Sequence, residues 1–332
     1  MIFHICDNIM NKIDLKDRKI LYQLDINSRQ SNSLIAKKVG LSKKIVSYRI
    51  KRLQKIGVIK NFYTVIDSSK LGYLSFRFYL VLQNTNPEIE QEIINYFINH
   101  KNTWWITRVE GRRFDIVVLI WVKDINNFYK FWDNTLLKYK KYFAEQIFSI
   151  YAQMALYRFS FLLDDYSKAD RKKFEITGGG KEVDYNKLDY QILTLLASDA
   201  RIPTTELSKK LNISTITIKN RIKKLMKIGV IQGFRINIDS FKLGYLYYKV
   251  DIELNDYQKI NQIIDFIRDN PHLASIEKSA GFADLELRFY VKNLDELKQI
   301  MKNLSDKFPQ VIKNYNYFYT SEIHKIQFIP KE

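Results

Sequence analysis

Val46, Ile50 and Leu53 recur at helical spacing, and Ile218, Ile222 and Leu225 do the same farther along the chain. Each set predicts a helix with a single buried stripe. A serine, Ser42 or Ser214, opens each segment and predicts a cap, because its side chain can accept a first-turn backbone N–H. Gly57 and Gly229 close the two segments, since glycine readily takes the left-handed conformation that ends a helix. Val-Ile and an aromatic residue follow in both, as in a strand. Upstream, Ile20, Leu21 and Leu24 behind Asp14 predict an earlier helix, and Ile192, Leu193 and Leu196 behind Asp184 predict its counterpart. Residues 32–39 and 204–211 read as a middle helix. Gly40-Leu41 or Asn212-Ile213 then turns the chain, glycine and asparagine being tolerant of positive φ. Three helices with a tight turn before the third, then a strand, predict a winged helix-turn-helix in which Val46, Ile50 and Leu53 face Ile20, Leu21 and Leu24.

The period then changes. Residues 75–82 carry large apolar side chains at every second position, Phe76, Phe78 and Leu80, which predicts a strand. Pro87 opens a helix with Ile89, Ile93, Ile94 and Phe97 on one face. Residues 104–109 and 115–122 read as strands about Gly111, 125–139 as a helix and 146–163 as strand-like. The same order returns in 247–254, 260–268, 274–279, 284–291, 294–304 and 311–328. A β-α-β-β-α-β order predicts a ferredoxin-like antiparallel sheet with helices on one face, and its other face needs a cover.

These two passes are copies. Adding 172 to a residue number carries Asp17 to Asp189 and Tyr73 to Tyr245 without a gap, and about 25 of 57 positions are identical. The fold class is therefore α+β, in two tandem units. We expect the first helix-turn-helix over 13–66 and its ferredoxin-like domain over 67–163. A flexible linker spans 164–182, and the second pair of domains spans 183–238 and 239–332. The linker's Gly180-Lys181 is not a phosphate loop, because Glu175 and Glu182 stand where that loop needs a glycine and a Ser or Thr.

Composition adds a location for the charge. Of 332 residues, 54 are Lys or Arg and 36 are Asp or Glu, a formal net charge of +18. Residues 12–61 hold about +11 of it and 184–234 about +5, so the helix-turn-helix segments carry nearly all. Positive charge gathered on two helical units is the footprint of a polyanion partner, here double-stranded DNA. Apolar runs fall short of a membrane span. The opening MIFHICDNIM lacks the features of a signal peptide, and Cys6 has no second cysteine to pair with. Together these point to the cytoplasm.

The repeated pattern is Ile-Leu, Leu, Arg, a capping serine, Arg-Ile-x-x-Leu, Gly-Val-Ile, Phe, Ile-Asp and Leu-Gly, in 17–72 and again in 189–244. It resembles the leucine-responsive/asparagine-synthetase (Lrp/AsnC) family of transcription regulators. That resemblance spans nearly the whole chain, twice. It implies DNA binding, ferredoxin-like domains of the RAM type that pair, and an internal pseudo-dimer, with further association of chains left open. It also implies a small-molecule effector such as an amino acid near the turn between the second and third strands. Here the turns read Gly111-Arg112-Arg113-Phe114-Asp115 and Gly281-Phe282-Ala283-Asp284, and both depart from the family's Gly-x-aromatic-Asp. Gly111, Asp115, Gly281 and Asp284 are the candidate effector residues; the alternative is that the glycines only make hairpin turns.

For DNA the candidates are Ser42, Lys43, Lys44, Ser47, Tyr48, Lys51 and Arg52 in the first copy. Ser214, Thr215, Ile216, Lys219, Asn220 and Lys223 are those of the second. Asn220 can bond bidentately to adenine and Ile216 can touch a thymine methyl. Arg49 and Arg221, at the edge of the buried stripe, read either as DNA contacts or as intradomain ion pairs. No catalytic residues, metal or cofactor are expected: His4, His100, His272 and His324 are scattered, without metal-ligand spacing. Two other readings stay open. Sirohaem decarboxylases resemble this fold and carry a His-Asn-Tyr segment before a Trp-Phe-Thr strand. Asn99-His100-Lys101-Asn102 and Trp104-Trp105-Ile106-Thr107 approach it, but the tyrosine is absent and the second copy has Pro271-His272-Leu273. A sequence-indifferent architectural DNA binder would contact phosphates without reading bases.

Overall fold

The structure, a computed structural model, describes residues 13–111, 113–281 and 283–331. The opening segment with His4 and Cys6, and the turn residues Arg112 and Phe282, lie outside the described residues.

The first copy begins with α1 (Leu15–Ile26), α2 (Asn32–Val39) and α3 (Lys43–Lys55), then β1 (Ile59–Ile66). Asp14 caps α1 as expected, accepting from Asp17 N–H at 2.8 Å while the Asp17 carboxylate accepts from Asp14 N–H at 3.2 Å. The second copy repeats this with α6 (Lys187–Ser198), α7 (Thr204–Leu211), α8 (Thr215–Lys227) and β7 (Ile231–Ile238). Its first cap is Asn186, not Asp184: the Asn186 side-chain Oδ1 accepts from Asp189 N–H at 3.0 Å and the Asp189 carboxylate accepts from Asn186 N–H in return. Ser42 and Ser214 cap α3 and α8. Gly40 and Asn212 end the middle helices with φ of 67° and 53°.

The strand that follows each recognition helix does not fold back on its own unit. β1 pairs antiparallel with β7, Phe62 facing Ile236 and Thr64 facing Phe234. Each strand is apolar on the side that meets both helical bundles, so Val46, Ile50 and Leu53 share one continuous core with Ile218, Ile222 and Leu225. The clamp is reciprocal. Arg29 donates to the carbonyl of Ala200 at 2.5 Å and lies over the Phe234 ring; Arg201 donates to that of Ser28 at 2.5 Å and lies over Phe62. The backbone repeats it, Ser28 N–H to Phe234 at 2.8 Å and Ala200 N–H to Phe62 at 2.9 Å.

The ferredoxin-like sheets are β2 (Leu74–Leu82), β3 (Thr103–Glu110), β4 (Ile116–Val122) and β5 (Phe143–Leu156), and β8 (Leu246–Leu254), β9 (Leu273–Ala280), β10 (Leu285–Val291) and β11 (Ile312–Ile326). Within each copy the order is last, first, third, second: β5-β2-β4-β3 and β11-β8-β10-β9. The two sheets then join edge to edge, β3 with β11 and β5 with β9. The eight strands close into a barrel. That closure is the cover the sheets needed, and it leaves neither long edge open.

Helices α4 (Pro87–Asn99), α5 (Ile125–Tyr139), α9 (Ile260–Arg268) and α10 (Leu294–Lys307) pack outside. Phe76, Phe78, Leu80, Val118 and Ile120 point out to Ile93, Phe97 and Phe131, as their alternation predicts. The other face looks inward and is also buried. On the first copy's strands it carries Tyr79, Val109, Val117 and Leu119; on the second's, Lys249, Asp251, Glu277, Glu286 and Arg288.

Residues 164–182, expected to be a flexible linker, are bound along their length. β6 (Glu175–Thr177) pairs with the end of β5. Buried Arg171 donates to the carbonyls of Arg158 at 3.0 Å and Leu273 at 3.1 Å. Glu175 is buried against Arg158 at 2.6 Å. Gly178 N–H reaches the Asp67 carboxylate at 2.9 Å, and Gly180 N–H the Ser69 hydroxyl at 3.0 Å. A charge-rich stretch reads as solvated only if its charges lack buried partners; here Arg171 and Glu175 have them, while Lys168, Lys172 and Lys173 are exposed.

Candidate nucleic-acid interface and central cavity

Helix α3 buries Val46, Ile50 and Leu53 and turns Lys43, Lys44, Tyr48 and Lys51 to solvent. Helix α8 buries Ile218, Ile222 and Leu225 and exposes Ile216, Lys219, Asn220 and Lys223. Tyr48 is 66% exposed and Ile216 69%, although each is large enough to fill a core site. Thr215 is half-buried at the start of α8. The serines Ser42 and Ser214 are exposed but already accept from Ile45 and Thr217 N–H.

Three candidates are tied inside the unit. Arg49 meets Asp14 at 2.7 Å and the wholly buried Asp17 at 3.0 Å. Arg52, expected to reach DNA, is paired with the same Asp17. Ser47 accepts from Asn32 Nδ2 at 2.8 Å. In the second copy Arg221 pairs with Asp189 at 3.1 Å and Lys224 approaches it at 3.6 Å. A buried carboxylate at the start of the first helix needs a cation, and the arginine that supplies it fixes the recognition helix against its neighbour. The intradomain reading of Arg49 and Arg221 holds.

The candidate effector residues occupy hairpin corners. Asp115 accepts from Leu82 N–H and Asp284 from Leu254 N–H, both at 2.7 Å, so each carboxylate holds the end of its own first strand. A Cβ on Gly111 would lie 3.0 Å from Phe318 Cβ, and one on Gly281 2.5 Å from Ser149 Cβ. These glycines permit each hairpin to touch the other copy's closing strand, where the barrel is joined. The four residues lie at two separate corners of the barrel rather than around one site.

A different site lies between the β1–β7 ribbon and the barrel mouth: a cavity of about 860 Å³. Trp104, Trp121, Tyr247 and Tyr290 line its floor, Tyr63 and Arg235 its roof, and Thr177 to Gly180 one wall. Sequence reading passed over it because its lining comes from ten strands of both copies and the segment between them. Repeated aromatics on inward-facing strand positions were the available signal. No histidine lines it among the described residues. His100 packs on Phe131 at 4.4 Å beside a smaller recess. Burial, then Lys325 and Lys101, push its pKa down to about 4. In the second copy His272 stands at the place of Asn102, its backbone carbonyl accepting from Tyr290 N–H as that of Asn102 accepts from Trp121 N–H, and its Nδ1 lies 2.8 Å from the Tyr290 carbonyl. Among the described residues no cluster of three or more His, Cys, Asp or Glu could hold a metal, and no helix is long and apolar enough to cross a membrane.

A winged helix-turn-helix DNA-binding family model matches residues 13–60 and 185–232, one match in each copy. An HTH-type transcriptional regulator of Pyrococcus abyssi is 33% identical over 148 residues, 43% of this chain and 97% of that protein. The HTH-type transcriptional regulator AldR of Mycolicibacterium smegmatis is 31% identical over 135 residues, 39% of this chain and 79% of its own. This chain belongs to the Lrp/AsnC family. Each such relative aligns with less than half of it, as a duplicated family unit requires. The siroheme decarboxylase NirDL superposes with a TM-score of 0.64, covering 95% of this chain and 94% of its own at 14% identity. That likeness is one of fold: this Lrp/AsnC chain and NirDL share the whole two-copy arrangement.

Proposed function

We propose that this Lrp/AsnC protein is a cytoplasmic, sequence-specific transcription regulator that reads double-stranded DNA with α3 and α8, under the control of a small molecule. The observation that carries the reading is the division of labour on the two helices. Apolar residues and orienting arginines face inward, while Lys43, Lys44, Tyr48 and Lys51, and Ile216, Lys219, Asn220 and Lys223, face water on helices that the Arg29–Arg201 clamp holds in one relation. Lysines supply phosphate contacts, and Asn220 and Ile216 supply base edges. Arg52 acts through Asp17 rather than on DNA. The functional division follows the copies, with DNA reading in 13–66 and 183–238 and the barrel from 67–163 and 239–332. No catalytic step belongs to this reading.

Selection of bound duplexes from random DNA tests it. A defined consensus is expected, and its affinity should fall roughly 10³–10⁵-fold between about 50 and 200 mM salt if about 6–10 phosphates are neutralised. A pool that stays random would leave an architectural binder, and an affinity flat with salt would remove DNA as the partner.

A further inference from the structure

The cavity under the β1–β7 ribbon has a chemistry of its own. Three stacked aromatic pairs line it: Trp104 with Trp121 at 5.3 Å and 15°, Tyr247 with Tyr290 at 4.7 Å and 25°, and Tyr63 with Phe328 at 4.6 Å and 19°. Such walls suit a flat guest, because aromatic faces gain from offset stacking beyond plain burial. A cavity of about 860 Å³ is the size of small-molecule sites in general.

The buried charges around it are already matched, and Lys123, Glu182 and Glu322 line it at exposed positions. Arg235 is held by Asp25 at 2.7 Å and faces Glu175 at 3.6 Å. Arg288 meets Glu277 at 2.5 Å. Lys60 lies 3.7 Å from Asp239. A charged guest would enter without a counter-ion, at a cost that a neutral one avoids. Two tyrosine hydroxyls are left to meet it. Those of Tyr63 and Tyr290 make no hydrogen bond among the described residues, though both rings line the cavity. Burial pushes the Tyr63 phenol up to about 12 and raises that of Tyr290, so both stay protonated and can donate. Tyr63 stands on the roof and Tyr290 on the floor.

We propose that this cavity is the effector site, and that it takes a flat, uncharged aromatic molecule whose oxygen or nitrogen accepts from Tyr63 and Tyr290. The proposal rests on the regulator reading for its consequence. The roof strands β1 and β7 start within a few residues of the ends of α3 and α8, at Lys55 and Lys227. A guest that wedges or draws down the ribbon therefore shifts the two recognition helices relative to each other. It would act between the β1–β7 ribbon and the barrel, rather than at the hairpin corners held by Asp115 and Asp284.

The test uses the whole chain and flavone, a planar neutral probe with a carbonyl acceptor, with L-leucine and L-phenylalanine as zwitterionic comparisons. Trp104, Trp105 and Trp121 line the cavity and report by fluorescence. Flavone is expected to quench saturably at one site per chain and to change affinity for the selected DNA. Tyr63→Phe with Tyr290→Phe should weaken flavone roughly 5–100-fold, two hydrogen bonds being lost. Ala152→Trp, which fills the cavity, should abolish both effects at an unchanged thermal midpoint. No saturable quenching by flavone, quenching untouched by the tyrosine pair, or uptake of the amino acids in its place overturns the site. Binding without any change in DNA affinity overturns its role as effector. Absence of DNA binding at about 50 mM salt without probe is a failure of the regulator reading, read separately from the quenching.

Discussion

The two copies have kept one region alike and let another diverge. In the helical units the buried residues are the same, Leu53 with Leu225 and Ile50 with Ile222, and so is the pairing of arginine with a buried aspartate, Arg49–Asp17 and Arg221–Asp189. Inside the barrel, equivalent pairing positions set Tyr79 against Asp251, Thr107 against Glu277, Val117 against Glu286 and Leu119 against Arg288. Apart from Thr107 and Arg77, the equivalent of Lys249, the first half is apolar, and the second is charged. Arg77 crosses between them. It is fully buried, meets Glu277 at 3.0 Å and is paired with Glu286. With Lys249, Asp251 and Arg288, three cations face three carboxylates. A homodimer could not build this, because each interior position would occur twice and the cluster with it. A single chain carries the cluster once and packs its mirror position with Val117 and Leu119. Such a pairing also makes the two halves non-interchangeable.

The largest expected effect is at that crossing. Arg77→Leu leaves three buried carboxylates, Asp251, Glu277 and Glu286, to two cations, Lys249 and Arg288, and should cost about 3–5 kcal/mol in denaturant unfolding. A loss under about 1 kcal/mol would mean that water reaches the cluster and that the halves do not differ in dielectric. Leu53→Ala and Leu225→Ala should each cost about 2–5 kcal/mol, since both are fully buried in one shared core. The comparison predicts similar costs for the two; a wide gap would show that the helical units have also diverged.

A histidine stands in each copy before the second strand of the sheet, at different places in the two loops, and the pair offers a finer contrast. His100 is driven from 6.5 to about 4 in the folded chain. Its folded value is depressed, so the unfolded chain takes up the proton first as pH falls. Stability due to neutral His100 is therefore present above about pH 6.5, lost progressively toward pH 4, and level below. His272 sits 3.3 Å from Glu296, a carboxylate that His100 lacks. Unfolding followed across that window should lose part of its pH dependence in His100→Asn.

The regions that diverged least were the most legible. Helical period, caps and turn residues act within a few positions, so Ser42, Gly57 and their counterparts gave the helix ends directly. The βαββαβ order was equally readable, because alternation around Phe76 and Phe78 marks strands. What alternation does not tell is which solvent the other face meets. The need for a cover was legible, but nothing in the alternation places Arg77, Lys249 and Glu286 inside a barrel, because the closure is made by strands of the other copy. Arg52 and the segment 164–182 escaped for the same reason: a charge is solvated or buried according to a partner far away in sequence. The cavity, whose walls come from both copies, was the least legible of all.

The smallest expected effect concerns DNA itself, and it carries the comparison outward. The clamp of Arg29 and Arg201 gives α3 and α8 the same fold and near-equivalent placement, yet their outward residues differ: Lys44 against Ile216, Ser47 against Lys219 and Tyr48 against Asn220. Two identical readers require a near-palindromic site; two unlike readers on one chain do not. Covalent linkage also keeps each half at high effective concentration for the other, so neither needs to bind tightly alone. The selected site should therefore consist of two dissimilar halves one helical turn or a multiple apart. Asn220→Ala should relax base preference in one half by about 1–3 kcal/mol and leave the other unchanged. Its cost to stability should be within about 0.5 kcal/mol, because the side chain is exposed. Footprints of the variant on sites mutated half by half measure this directly. Equal relaxation in both halves, or a perfect palindrome from selection, would show that the divergence stops inside the barrel and does not extend to the DNA.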